Sequence, residues 1–280
     1  MILVTGGTGT VGTALKALLP GAAYPTRDTF DLSRPELVLE VAATFDPDAI
    51  VNCAGYTAVD RAETDEATAM AVNAESVGCL ATLAAALDIP FVTISTDYVF
   101  DGTSDEPYLE SSPTAPINTY GRSKLAGERS ALAAHPGALV IRTSWVYSAT
   151  HDSFVSWIVS GGRSGDVRAA TDQRSCPTAA PDLAGVIVAA LETGATGLLH
   201  ATNSGDASRY ELAVAVADLA GFDPSLIAPV TIADLDLAAP RPVYTAMRSE
   251  RLAALGLSVM RPWREALAPV VEALSSANRG

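Results

Sequence analysis

A tyrosine and a lysine four residues apart, Tyr120 and Lys124, form the pair in this sequence best suited to acid–base chemistry. The segment 122–134 is rich in Ala, Leu, Glu, Arg and Lys and lacks proline, which predicts a helix. On a helix the two side chains lie on one face, about one turn apart. A buried ammonium lowers the pKa of a neighbouring phenol from about 10 toward working pH. Such a phenol can exchange a proton with an alcohol or carbonyl oxygen.

By itself the Tyr-x-x-x-Lys spacing is more often a surface pair, so the surrounding elements decide its meaning. Residues 1–5 are a short apolar run that predicts a buried strand, and residues 13–19 predict a helix. Between them lies a turn with glycines at every third position. This strand–turn–helix arrangement allows close approach of the backbone to a pyrophosphate and favours dinucleotide binding over a plain turn. The predicted contacts in the turn are Gly6, Gly9, Thr10, Val11 and Gly12.

The residue after the predicted second strand (about 22–26) indicates which dinucleotide binds. An acidic residue there suits the ribose hydroxyls of NAD, whereas Arg27 suits the 2′-phosphate of NADPH. The alternative is that Arg27 is merely solvated, and NADH stays possible as cofactor. We expect Asp31 and Leu32 beside the adenine. Ser33 begins a segment with capping-box spacing, which predicts a helix to about residue 45.

Three more buried strands are predicted at 48–52, 90–95 and 139–143, separated by helical segments. The first of them is followed by the small residues Cys53, Ala54 and Gly55, against which a cofactor can lie, and Thr96 stands at the end of the second. Asn73, inside the apolar helix 65–87, is predicted to bond a neighbouring loop. Ligands bind at the carboxyl ends of strands in an open parallel sheet, so these groups and the Tyr120–Lys124 pair should converge.

The predicted fold class is α/β, with a doubly wound parallel (Rossmann) sheet and a smaller C-terminal substrate-binding part. We assign residues 1–148 plus about 177–202 to the dinucleotide-binding domain. Residues of about 149–176 plus 203–280 should form the substrate-binding domain.

Composition limits the partners. The net charge of −14 disfavours nucleic acid and anionic membranes, because phosphate would be repelled. Three cysteines without a C-x-x-C pair are typical of free thiols in a reducing cytosol. Only a short apolar run precedes the glycines, and no long apolar window follows, so we expect neither signal peptide nor membrane span. The histidines lack metal-ligand spacing, so no metal site is assigned. Dependence on Mg²⁺ stays open, and so does the oligomeric state, monomer or homodimer.

Several blocks of this sequence resemble the extended short-chain dehydrogenases/reductases, and most closely the branch that reduces 4-keto-6-deoxy sugars carried on dTDP. These blocks are residues 5–12, 56–63, 95–102, 107–110, 116–128, 142–147, 172–178, 241–242 and 262–264. Two departures are Ser175, where the family usually has glycine, and the less regular stretch 247–251. They concern the substrate side of the site.

The resemblance implies that NADPH delivers hydride to the C4 ketone of a 6-deoxy-4-hexulose on dTDP, giving dTDP-L-rhamnose, a precursor of cell-wall polysaccharide. Tyr120 would supply the proton, Lys124 would hold the nicotinamide ribose, and Thr96 would bond the substrate oxygen. The family match adds Thr57 as a cofactor contact. It places Asp97, Tyr98 and Trp145 as sugar contacts, although by residue type alone Trp145 could be a core residue and Asp97 a cap.

Two other functions stay open from the sequence. A nucleotide-sugar epimerase or 4,6-dehydratase shares the Tyr-x-x-x-Lys pair, but a dehydratase usually follows its Thr with Asp-Glu, and here Tyr98 follows Asp97. A non-catalytic regulatory homologue is the third possibility, and the intact Thr96, Tyr120 and Lys124 argue against it.

Overall fold

The computed structural model describes residues 1–161 and 167–277, and its centre is a five-stranded parallel sheet with strand order β1-β2-β3-β4-β9. These strands are β1 (Ile2–Thr5), β2 (Ala49–Asn52), β3 (Phe91–Thr96), β4 (Leu139–Thr143) and β9 (Gly197–His200). The short strands are β5 (Val146–Tyr147), β6 (Arg168–Ala170), β7 (Arg174–Ser175), β8 (Thr178–Ala179), β10 (Ala207–Ser208) and β11 (Ala228–Val230).

Helices follow most of the sheet strands. They are α1 (Thr10–Leu18), α2 (Pro35–Ala43), α3 (Val59–Ala62), α4 (Glu66–Met70), α5 (Ser76–Leu87), α6 (Thr119–Ala134), α7 (Phe154–Gly161), α8 (Ala180–Thr193), α9 (Arg209–Ala220) and α10 (Trp263–Ala277). One π-helical turn, Ala71–Glu75, joins α4 to α5.

Both faces of the central sheet are buried, which is why its strands are continuous apolar runs rather than alternating ones. Leu3 and Ile50 point to the face covered by α2, α5 and α6, whereas Val4 and Val51 point to the face covered by α1 and α8. The predicted α/β fold with a doubly wound parallel sheet is therefore confirmed.

The predicted second strand at about 22–26 is wrong as an element. Only Ala23 pairs with β1, through a single bridge to Leu3, before the chain turns at residues 27–29. The capping box predicted at Ser33 is also absent, because the Ser33 N–H donates to Asp31 Oδ1 at 2.9 Å and α2 begins after Arg34 without a side-chain cap.

A second apolar core lies outside the sheet, between α7, α9 and α10. Its fully buried members include Ile158, Val216 and Leu267. Strand β9 returns the chain to the sheet beside β4, after α8. The two-domain division given above stays a prediction.

Within the described residues, Glu66–Leu87 is the one helical stretch long and apolar enough to cross a membrane, with a mean hydropathy of 1.5. Here Ala69, Leu80 and Ala84 are fully buried, and the last two pack against the sheet. The stretch is a core helix in this fold.

One buried ion pair ties α6 to the sheet. Arg142 on β4 donates to both carboxylate oxygens of Glu128 on α6, at 2.8 and 2.7 Å, and each side chain is about 95% buried, with 4% and 5% exposed. Ser95 on β3 donates to the same carboxylate at 2.5 Å. The pair therefore joins the helix that carries Tyr120 to the strand that carries Thr96.

Glu128→Gln should destabilise the protein strongly, because it leaves the Arg142 charge buried without a counter-ion. Breaking one side of a buried pair costs about 3–5 kcal/mol. The matched control is Arg34→Gln, which removes the exposed Arg34–Glu36 pair and should cost about 0–1 kcal/mol. The measurement is urea unfolding of both variants. Similar small losses for both would contradict a structural role for the buried pair.

Candidate active site

One large cleft of about 940 Å³ opens at the carboxyl ends of β1 to β4. The predicted residues that line it are Gly6, Gly9, Thr10, Val11, Arg27, Asp31, Leu32, Cys53, Ala54, Gly55, Thr57, Thr96, Asp97, Tyr120, Lys124 and Trp145. Gly12 and Tyr98, also predicted as contacts, are not among the residues that line it. The convergence expected from the parallel sheet is therefore present in the structure.

The glycine turn at one end of the cleft leaves no room for side chains. Gly6 has φ of +68°, and a Cβ there would lie 2.5 Å from the backbone nitrogen of Ala54. A Cβ on Gly12 would overlap the carbonyl oxygen of Gly6, so Gly12 allows α1 to pack against the turn rather than touching a ligand. The N-cap Gly9 has no side chain to cap α1, and the first-turn N–H groups of a helix favour an anion.

The loop after β2 is held by buried amides. Asn52 accepts from Thr5 Oγ1 at 2.5 Å and donates to Thr93 Oγ1 at 3.0 Å. Asn73 accepts from the Tyr56 N–H at 2.8 Å and donates to Ser123 Oγ at 2.9 Å, so the structural role predicted for Asn73 is confirmed. These bonds fix the wall that contains residues 53–57.

Cys53 is a neutral part of that wall. Burial raises the pKa of its thiol to about 12, so the uncharged form dominates at neutral pH. A protonated thiol behaves as a small apolar group rather than a nucleophile.

Arg27 and Asp31 lie at the end of the cleft beyond the glycine turn. Arg27 Nε is 3.4 Å from Asp31 Oδ1, and the Arg27 side chain is 76% exposed. The Ser33 backbone N–H lowers the pKa of Asp31, with Arg27 contributing less, while burial opposes the shift. Leu32 is buried beneath them. The guanidinium is thus solvated and close to the cleft, and its contact with Asp31 is weak.

Helix α6 presents Tyr120 and Lys124 to the cleft. Its N-cap is Asn118, whose Oδ1 accepts from the Gly121 N–H at 2.7 Å. A Cβ on Gly121 would overlap the carbonyl oxygen of Tyr98, so glycine lets the helix start against the end of β3. This close approach places Tyr120 beside Thr96.

The predicted effect of Lys124 on Tyr120 is wrong for this arrangement. Burial raises the pKa of the Tyr120 phenol, and a hydrogen bond with Thr96 opposes that rise. Lys124 Nζ instead donates to the carbonyl oxygen of Ile94 at 2.6 Å. Burial lowers the pKa of Lys124 to about 8, with Glu128 and Cys53 opposing. Tyr120 is therefore a neutral phenol at neutral pH, the form that can donate a proton.

Asp97, next to Thr96, is a buried carboxylate surrounded by hydroxyl groups. It accepts hydrogen bonds from Thr96 Oγ1 at 3.1 Å, Ser175 Oγ at 3.0 Å and Thr245 Oγ1 at 2.5 Å. Burial raises the pKa of Asp97, and these hydroxyl groups oppose the rise. The hydroxyl of Ser175, the residue that departs from the family pattern, thus serves the Asp97 network.

Tyr98 and Trp145 differ in exposure to the cleft. The Tyr98 hydroxyl accepts from Gln173 Nε2 at 3.3 Å, and its ring packs edge-on against Tyr120 with centroids 5.9 Å apart. Trp145 has φ of +43° and lines the cleft. Its indole N–H is buried and has no partner within residues 1–161 and 167–277. Asp172, by contrast, accepts from the exposed Ile232 N–H.

Sequence reasoning missed several lining residues. Thr143 and Ser144 follow β4, so the strand-end rule that found Thr96 would also have found them. Tyr56 and Asp65, joined at 3.0 Å, carry no such signal because a loop brings them to the cleft. In the described part of the chain, no group of three or more His, Cys, Asp or Glu side chains is placed to hold a metal ion.

Comparison with known proteins gives the family. Residues 1–276 match the RmlD substrate binding domain. A probable dTDP-4,6-dihydroxy-2-methyloxan-3-one 4-ketoreductase of Streptomyces antibioticus is 42% identical over 95% of this chain and 92% of that protein. A dTDP-4-dehydrorhamnose reductase of Mycolicibacterium smegmatis is 39% identical over 99% of this chain and 86% of that protein.

Among solved structures, dTDP-4-dehydrorhamnose reductase from Bacillus anthracis in complex with NADP superposes with a TM-score of 0.91 at 31% identity, covering 96% of this chain and 97% of that one. The resemblance seen in the sequence motifs is thereby confirmed. The chain belongs to the RmlD substrate-binding domain family.

Proposed function

We propose that this protein is an NADPH-dependent oxidoreductase that reduces the C4 ketone of dTDP-4-dehydro-L-rhamnose to dTDP-L-rhamnose. The observation that carries the proposal is the meeting of Thr96, Tyr120 and Lys124 with the glycine turn in one cleft. The names of the two relatives and the NADP-bound structure support reduction of a keto sugar carried on dTDP.

The cleft fits a nicotinamide dinucleotide by its backbone geometry. Gly6 and Gly12 let the turn pack closely against the loop after β2 and against α1, and the uncapped start of α1 offers N–H donors to a pyrophosphate. Arg27 would pair with the 2′-phosphate, and we expect Asp31 and Leu32, which line the same end of the cleft, beside the adenine. The bound cofactor supplies hydride to the ketone carbon.

The residues of this chain would manage the proton. Tyr120 donates its phenolic proton to the ketone oxygen as negative charge develops there, and Thr96 donates a hydrogen bond to the same oxygen. Lys124 would hold the nicotinamide ribose through its ammonium. Before substrate binds, the single hydroxyl proton of Thr96 is donated to Asp97 at 3.1 Å, so Thr96 must turn from Asp97 to the ketone oxygen. A phenol whose pKa is raised by burial suits reduction, because the protonated form is the reactive one.

The two relatives are named for different keto sugars, so they leave the exact sugar of this protein to be tested. The Streptomyces antibioticus protein is named for a different dTDP-linked ketone, so a second keto sugar belongs in the assay. Consumption of NADPH with dTDP-4-dehydro-L-rhamnose tests the proposal directly, with the product identified by mass and by NMR. No consumption with any dTDP-4-keto-6-deoxy sugar would favour the regulatory alternative. Release of a dehydrated or epimerised sugar without net oxidation of NADPH would favour the second alternative, a nucleotide-sugar epimerase or 4,6-dehydratase.

We further propose a cytoplasmic enzyme that acts on small molecules, as monomer or homodimer, with no nucleic-acid or membrane partner. The net charge of −14 supports the part of this proposal that excludes nucleic acid and anionic membranes as partners.

Tyr120→Phe should keep the fold and lose turnover. The ring and its edge contact with Tyr98 remain, but the proton donor is gone. We expect kcat to fall by roughly 10² to 10⁴, the usual contribution of general acid–base catalysis, while NADPH affinity stays within a few-fold. Steady-state kinetics and cofactor titration measure both. Turnover within about threefold of the wild type would show that the proton comes from another group.

Arg27→Ala should weaken NADPH far more than NADH. A charge-assisted contact to phosphate is worth about 1.5–3 kcal/mol, and NADH lacks that phosphate. Fluorescence titration with both cofactors measures the difference. The matched control is Arg34→Ala, an exposed arginine that does not line the cleft. Equal losses for the two cofactors in Arg27→Ala would refute the assignment of the 2′-phosphate site.

The charge of Lys124 should determine how kcat/KM for NADPH falls at alkaline pH. With its pKa at about 8, Lys124 is charged below that pH and neutral above it, so the attraction for the cofactor weakens as pH rises. We expect kcat/KM for NADPH, which reports groups of the free enzyme, to decline through about pH 8. Lys124→Met should give a lower and flat profile over this range. A decline at the same pH in Lys124→Met would assign the limb to another group.

A further inference from the structure

Arg209, the first residue of α9, lies against aromatic rings rather than against an acid. Its guanidinium carbon is 3.6 Å from the centre of the Trp145 ring and 5.0 Å from that of Phe154. A guanidinium stacked in this way keeps its plane fixed and its N–H donors directed outward along the edge.

The charge of Arg209 has no direct partner among the residues that the structure describes. It forms neither an ion pair nor a side-chain hydrogen bond with any residue in the described ranges. Arg174, Arg241 and Arg261, by comparison, each bind a carboxylate at 2.8 Å. Burial lowers the pKa of Arg209 to about 10, with Tyr98 and Asp97 opposing. Burying a cation without a paired anion is costly, so a ligand that brings the anion would be favoured.

A second unpaired donor lies beside it. The indole N–H of Trp145 is buried without an acceptor in the described part of the chain, although most buried donors have one. Trp145 lines the cleft together with Thr96 and Tyr120. The charges that act on Arg209 come from Asp97, Tyr98 and Arg241, and none of these belongs to the glycine turn. Through Trp145, Arg209 adjoins the part of the cleft that Thr96 and Tyr120 line, although Arg209 is not itself among the lining residues.

We propose that Arg209, stacked on Trp145, binds the diphosphate of the nucleotide sugar. This inference rests on the proposed function and names the residue that recognises the nucleotide diphosphate part of its substrate. A diphosphate offers paired oxygens that match the planar fork of a guanidinium, and it carries negative charge that no carboxylate of the described residues places in direct contact with Arg209. Arg241 adds a second positive charge in this region but is already bound to Asp60.

The test compares dTDP with thymidine by calorimetry, without turnover. Wild type should bind dTDP more tightly than thymidine. Arg209→Gln should weaken dTDP by about 10- to 100-fold, as expected for a charge-assisted hydrogen bond, and leave thymidine within about twofold. NADPH affinity should not change, which separates the substrate diphosphate from the pyrophosphate of the cofactor. Arg129→Gln, at an exposed position of α6, is the matched control and should bind all three ligands normally.

Equal weakening of dTDP and thymidine, or no weakening, would overturn the proposal and leave Arg209 a structural partner of Trp145. Loss of NADPH affinity instead would assign Arg209 to the cofactor. If Arg209→Gln does not fold, Arg209→Lys decides: it keeps the charge but not the fork, so selective weakening of dTDP supports the proposal and unchanged binding refutes it. Because these measurements need no reaction, they remain distinct from the NADPH assay, whose failure would refute the proposed reaction instead.

Discussion

The buried pair between Glu128 and Arg142 is the interaction on which the geometry of the site depends. It fixes α6 against β3 and β4, and the Ser95 hydroxyl adds a third bond to the same carboxylate. An ion pair removed from water gains little net stability, since desolvation offsets most of the attraction. Its directional bonds nevertheless allow only one placement of the helix. Tyr120 on α6 and Thr96 on β3 therefore meet because a buried charge pair behind the cleft-lining Ser95 specifies the distance between their elements.

Packing reinforces the same placement. A Cβ on Gly127 would overlap the carbonyl oxygen of Asn73, so α6 lies in close backbone contact with the π-helical turn. Asn73 in turn bonds Ser123 on α6 and the loop at Tyr56. The π-helical turn and the loop at Tyr56 are thus both tied to α6, although these segments lie far from α6 in the sequence.

The sequence predicted the features that depend on local pattern. The buried strands, the glycine turn and the Tyr120–Lys124 pair follow from runs and spacings of a few residues. The failures arose from contacts between distant residues. Ser33 had capping-box spacing, but the Ser33 N–H donates a hydrogen bond to the carboxylate of Asp31. Lys124 has the expected position, yet its ammonium donates to the carbonyl oxygen of Ile94, and burial raises the pKa of Tyr120. Arg209 gave no signal because its environment comes from Trp145 and Phe154, more than fifty residues earlier in the chain.

The acidity of the chain adds one constraint on how it can bind anionic ligands. With a net charge of −14, the overall field repels phosphate, although salt screens exposed charges beyond about 8 Å at physiological ionic strength. Affinity must then come from arginines close to the ligand, and two arginines that the fold shields in the described part of the chain are neutralised by carboxylates. Arg142 is bound to Glu128, and Arg241 to Asp60. Arg209 is held by an aromatic ring, which fixes the guanidinium without neutralising it. The proposed diphosphate contact depends on this difference between Arg209 and the carboxylate-bound arginines.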